Sequence, residues 1–189
     1  MNPENSSFSE NQVEIMNDLS ITLKNNNDRE RETKSMLVTI LNKYDLDKYI
    51  RCKDITIELG GRGYAFPSIT ISAWEQGKEE KLLAQFIHEQ YHWIEKEQEK
   101  SFYEAIDELK SIFPDVPFDR PEGGGSEKST YIHLIICRLE LLALSEILGE
   151  DSAVRIVAGN NNYTWIRSTV LSQGEQIDAV INKYFPDIV

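Results

Sequence analysis

Histidine is scarce in this chain, with three residues among 189. Cysteine is scarcer: Cys52 and Cys137 lie far apart and form no CxxC pair. That spacing excludes a disulfide framework and points to a reduced, cytoplasmic setting. Long apolar runs are missing too. The longest apolar stretches, near LIIC and LELLALSEIL, are interrupted by charge. None reaches the roughly 18 residues that a membrane helix needs, so no membrane partner is expected. Basic charge is short, with 20 Lys and Arg against 32 Asp and Glu, a net charge of −12. Nucleic acid and anionic membranes both require a basic footprint, so neither is expected as a partner. The start, MNPENSSFSENQ, has no basic region followed by an apolar one, and no export signal is expected.

What is present is globular in kind. Hydrophobic residues make up 40% and charged residues 28%, enough to bury a core at this length. Residues 1–28 are polar and end in NNND, so a flexible N-terminal segment is expected before one domain over 29–189. Within that segment SITL has strand character and ENQVEIMNDL the look of a short helix. From Arg29 the apolar residues Met36, Leu37, Ile40, Leu41 and Tyr44 fall on one helical face. DITIEL (54–59) alternates with period 2 and predicts a strand. GGRGYAFP follows, then SITISAW (68–74), a second β-prone run. Two such runs around a glycine loop predict a hairpin or neighbouring antiparallel strands. Helices are predicted over 78–98, 101–112, 128–148, 151–159 and 163–184. The fold class is therefore α+β: a small antiparallel sheet beside a mostly helical bundle.

Two of the three histidines lie in LLAQFIHEQYHWIEKE, as His88-Glu89-Gln90-Tyr91-His92. On a helix, residues i and i+4 share a face one turn apart. His88 and His92 can therefore aim two imidazole nitrogens at one point, as zinc requires. Glu89 is rotated about 100° from His88 and flanks that point without binding it. There it can polarise a water on the metal. The competing possibility is two imidazoles on a helix surface with no metal.

A zinc site needs a third protein ligand. In STYIHLIICRLELLALSEILG, His133, Cys137 and Glu140 recur at i, i+4 and i+7, a polar stripe on an otherwise apolar helix. His133 is the preferred third ligand and Glu140 its rival; the one that does not bind would orient a ligand. Cys137 reads as a small packing residue.

HExxH on a helix, after strands and before a helix with a third ligand, resembles the zincin metallopeptidases, in particular compact bacterial zincin-like domains. The resemblance covers about residues 54–149 in layout and His88, Glu89 and His92 in motif. It implies the zincin-like fold with the HExxH helix at its centre. It implies a zinc-dependent hydrolase, a metallopeptidase, using a zinc-bound water with Glu89 as general base and a peptide or protein as substrate. SITISAW would be the edge strand that takes extended peptide. No named branch fits: a metzincin would have Gly at 95 and His at 98, where this chain has Glu95 and Gln98, and Leu144 stands where a gluzincin has an acid. The alternative is a non-catalytic metal-binding or protein-interaction domain on the same scaffold; the presence of Glu89 favours the enzyme.

Tyr131, Tyr91, Tyr163 and Arg138 are candidate donors to an oxyanion. EGGGSE (122–127) lacks the lysine of a P-loop and reads as a flexible loop. Trp74, Trp93 and Trp165 read as packing residues. Nothing in the chain sets an oligomeric state.

Overall fold

The computed structural model describes residues 14–16, 18–60, 63–73 and 78–188. The chain is α+β, as its periodicities predict. Four strands form one sheet in the order β1 (Glu14–Met16), β2 (Leu19–Leu23), β3 (Asp54–Glu58), β4 (Ile69–Ser72). The first pair is antiparallel, but β2, β3 and β4 run parallel. The expected antiparallel pairing of 54–59 with 68–74 is therefore wrong.

The reason lies in the ten residues that join β3 to β4. After β3 the chain doubles back, and Tyr64 pairs antiparallel with Thr70. Only then does it reverse into β4. The expected hairpin of the two runs is absent, and the antiparallel contact here is the single bridge between Tyr64 and Thr70. The period-2 pattern also misleads on direction. It reports that one face of the sheet is covered, whichever way the strands run. Register aligns Ile21, Ile55 and Ile69 in one row and Leu23, Ile57 and Ile71 in the next. All six are buried, each contributing about 1.5–3 kcal/mol over exposure.

Helix α1 (Asp28–Lys43) links β2 to β3 and packs on both strands. Its N-terminus has an Asn27 cap, whose side chain accepts from Glu30 N–H at 3.0 Å. Glu30 reaches back in turn. Its carboxylate accepts from Asn25 N–H at 2.8 Å and from Leu59 N–H at 3.1 Å, tying the start of α1 to the end of β3. The sheet thus begins before residue 29: β2 is an inner strand within the polar leading segment. Residues 14–16 of the expected short helix form β1, and residues 10–13 lie outside the described residues.

Helix α2 (Glu79–Tyr91) follows β4 and lies between the sheet and the helical half. The predicted helix over 78–98 is interrupted at His92, and the short α3 (Trp93–Glu97) continues beyond it. Next come α4 (Glu99–Ile112), α5 (Glu127–Leu148) and α6 (Glu150–Ala158). The predicted helix over 163–184 is two helices, α7 (Thr164–Ser172) and α8 (Gly174–Tyr184). They part at Gln173-Gly174, where the Arg138 guanidinium occupies the space of any Cβ on Gly174, 2.5 Å from it. Arg138 there bonds Asp178 of α8 at 2.6 and 2.5 Å. Helix α5 packs against α2, α4, α6, α7 and α8 and is the centre of the bundle.

The EGGGSE loop is a packed turn. Gly123 and Gly124 have no room for a side chain, because a Cβ would meet Pro117 O and Ser129. Trp93 and Trp165 pack against the core, and Trp74 lies outside the described residues. No described helix is long and apolar enough to cross a membrane.

Candidate metal centre

Helices α2 and α5 meet face to face and bring all three histidines together. One ligand nitrogen of each of His88, His92 and His133 lies within 4.8 Å of the others. His92 is the C-cap of α2, but its φ of −59° and ψ of −22° remain helical, so it keeps the face of His88. The Nε2 atoms of His88 and His92 stand 3.3 Å apart. Two nitrogens on one tetrahedral zinc, at bonds of about 2.0–2.1 Å, would be roughly 3.3 Å apart.

The outer nitrogens explain why the inner ones converge. His88 Nδ1 sits 2.8 Å from Glu140 Oε2. His133 Nδ1 sits 2.6 Å from Ser129 O, one turn earlier on α5. Each acceptor engages Nδ1, so in His88 it is Nε2 that faces the cluster. Metal-binding histidines are oriented in this manner. His133 takes its position from helix periodicity, and Glu140 does so two turns further on.

Glu140 is held from two sides. Arg167 of α7 donates to both of its oxygens, at 3.1 and 3.3 Å, and His88 approaches the second. Glu140 and Arg167 are 1% and 5% exposed. Burial alone would raise the Glu140 carboxyl, but Arg167 and His88 bring it down to about 2. A second donor group, His88 with Cys137 and Glu140, is equally compact. An ion there would face the buried Arg167 cation and compete for oxygens already bonded. The three-histidine group makes no demand on those oxygens.

Charge is shared unequally among the imidazoles. Burial works against protonation of His88, but hydrogen bonds to Cys137 and Glu140 outweigh it and hold His88 well above the usual range. Burial, with a charged His88 beside them, drives His92 well below its ordinary value and His133 down to about 3. His92 and His133 are thereby kept neutral and offer lone pairs, and a metal would displace the proton that His88 holds.

Glu89 is buried yet lines an open cleft of about 610 Å³ together with His88. Burial pushes its carboxyl up to about 7, a value suited to proton transfer near neutral pH. The Gly63 main chain lies directly against it: a Cβ there would collide with Glu89 Oε1. Ser72, at the end of β4, also lines the cleft. The expected peptide-binding edge of β4 is partly taken, because Thr70 exchanges backbone bonds with Tyr64 at 2.7 and 3.4 Å.

Of the four oxyanion candidates, only Tyr163 lines the cleft. Its ring centroid is 4.2 Å from that of His133. It has φ +61°, uncommon for a bulky residue. Tyr131 donates its hydroxyl to Phe113 O at 2.6 Å, and Tyr91 packs edge-on against Tyr49. Arg138 is committed to Asp178. Three contributors were not foreseen. Arg167 shares the apolar stripe of Ile166 and Val170, a signal that it is buried. Arg120 lines the cleft from a loop, with no periodic signal. Gln90 clamps the chain entering β3, accepting from Arg51 and Cys52 N–H at 2.8 Å each and donating to Cys52 O at 2.9 Å.

Compared with protein-family models, with curated proteins and with solved structures, the chain gives no match in any of the three.

Proposed function

We propose that this chain is a zinc-dependent hydrolase of the metallopeptidase kind, with His88, His92 and His133 as zinc ligands and Glu89 as general base. The observation that carries it is the convergence of His88, His92 and His133, one ring nitrogen from each within 4.8 Å of the others, beside the Glu89 carboxylate in an open cleft. The donor set fits zinc, which favours imidazole nitrogen and near-tetrahedral spacing. When bound, zinc supplies a Lewis acid that makes water nucleophilic near neutral pH. Glu89 removes a proton from the attacking water and returns it to the departing amine. Glu140, itself held by Arg167, fixes the His88 ring through Nδ1 and turns Nε2 toward the other two imidazoles. Ser129 O engages Nδ1 of His133. Of the candidate oxyanion donors, Tyr163 is the one that lines the cleft. The substrate is a peptide or protein, and both cysteines are free and buried, in keeping with a reduced, cytoplasmic setting.

The test is metal content by plasma mass spectrometry together with hydrolysis of a fluorogenic peptide library. Wild type and Glu89→Gln are expected to carry one zinc per chain, and His133→Ala to lose it. Glu89→Gln is expected to slow hydrolysis by about 10²–10⁴-fold. Failure to take up zinc would sink the proposal. Zinc without hydrolysis would sink the peptidase and leave a non-catalytic metal-binding domain.

A further inference from the structure

Among the described residues lining the cleft, three are cations: Lys81, Arg120 and Arg167. Arg167 is neutralised by Glu140. Arg120 differs from it. It is exposed, and it makes no ion pair among the described residues, although Asp119 and Glu122 are its near neighbours in the chain. Its close partner is an aromatic face: the guanidinium carbon lies 5.7 Å from the centroid of the Tyr163 ring. An unmatched cation in the working cleft of a chain with net charge −12 stands out against its background.

The position of Arg120 is built. Gly123 N–H and Gly125 N–H donate back to Asp119 O and Phe118 O, both at 2.7 Å. Thr164 N–H donates to Pro121 O at 2.9 Å, which joins this loop to the first turn of α7 next to Tyr163. Steric exclusion at Gly123 and Gly124 leaves the loop little freedom. A loop fixed this way spares the backbone ordering that a mobile loop would need when Arg120 binds a ligand. The stacking of Arg120 on Tyr163, and of Tyr163 on His133, puts the guanidinium within about 10 Å of the His133 ring. An extended peptide covers that distance in about three residues.

Resting on the zinc-hydrolase reading, we propose that Arg120 is a specificity residue that selects peptides bearing a carboxylate within about three residues of the bond that is cut. Guanidinium and carboxylate match in shape and charge, and the pair forms two parallel hydrogen bonds. Asn160 and Asn162, on the loop before α7, line the same cleft and add neutral polar groups beside it. The carboxylate can be a free C-terminus or an acidic side chain; the cleft chemistry is the same for both.

The test uses zinc-loaded full-length protein and a hydroxamate-capped Leu-Ala dipeptide in three forms: C-terminal free acid, C-terminal amide, and an amide with Asp in place of Ala. Zinc content is measured first, then binding by calorimetry. At least one anionic form is expected to bind about tenfold more tightly than the neutral amide. Whichever form does so names the source of the carboxylate. Arg120→Ala is expected to abolish the preference while leaving zinc content and affinity for the neutral amide unchanged, and Arg120→Lys to retain part of it. Equal binding of all three forms overturns the inference and leaves the metal centre standing. So does a preference that survives Arg120→Ala. A zinc-loaded protein that binds none of the three also overturns it. A protein that takes up no zinc overturns the metal reading and this inference with it, and the prior zinc measurement tells the two failures apart.

Discussion

His88 and Gln90 stand two residues apart on α2, both buried, and their polar atoms end differently. Gln90 points toward the segment that leads into β3, where each atom of its amide meets a backbone partner. Nothing is left over. His88 points toward α5. One of its nitrogens is held by Glu140, and the other faces a second imidazole whose own lone pair is directed at the same point. Buried polar groups ordinarily find partners. A side chain that meets all of its partners within the fold serves the fold. A set of side chains whose outer atoms are satisfied and whose inner atoms converge is prepared for something else.

The comparison can be broken first at its structural end. Gln90→Ala strands two backbone N–H groups and a carbonyl in the interior, so a loss of about 3 kcal/mol in urea unfolding is expected, with zinc content per folded chain unchanged. A loss under about 1 kcal/mol would mean that the 51–52 segment finds other partners and that Gln90 is no clamp. The functional end is tested by removing what holds His88. Changing Glu140→Gln and Arg167→Gln together avoids leaving one buried charge alone. Zinc affinity, read by competition with a chelator, is expected to fall about 10–100-fold. Unchanged affinity would separate this ion pair from the metal altogether.

The smallest effect sharpens the comparison at a third buried group. Glu30 resembles Gln90 in that several N–H groups converge on it, but it carries charge. Burial works to raise its carboxyl, and the hydrogen bonds from Leu59 and Asn25 outweigh that and lower it. A lowered carboxyl contributes stability that is complete above the unfolded value of about 4.3 and is lost as pH falls through the folded value. Glu30→Gln is therefore expected to cost about 1–2 kcal/mol at pH 7 and less in acid. A cost that is the same from pH 7 to pH 3 would show that charge is not what Glu30 contributes.

The helices were legible because each buries a stripe, and a stripe leaves period 3.6 in the chain. β3 was legible for the same reason at period 2, whereas β1 was read as helix. Strand direction was not legible, since Ile55 and Ile57 alternate with polar neighbours in either arrangement. Direction was decided by the return through Tyr64, a tertiary pairing with no local signature. The histidines could be placed because two shared one turn and the third began a polar stripe at i, i+4, i+7. The choice of what holds Glu140 could not be made, because Arg167 comes from a helix that follows by 27 positions. Gln90 was hidden by the motif itself, where its position reads as filler between the histidines.

Gly63 gives one of these contacts a different weight. Its main chain lies so close to Glu89 that a side chain at 63 would have to displace the carboxylate, which belongs to another element. The two positions are therefore coupled: a side chain added at 63 moves the acid at 89 off its place in the cleft, and a shorter acid at 89 relaxes the demand on 63.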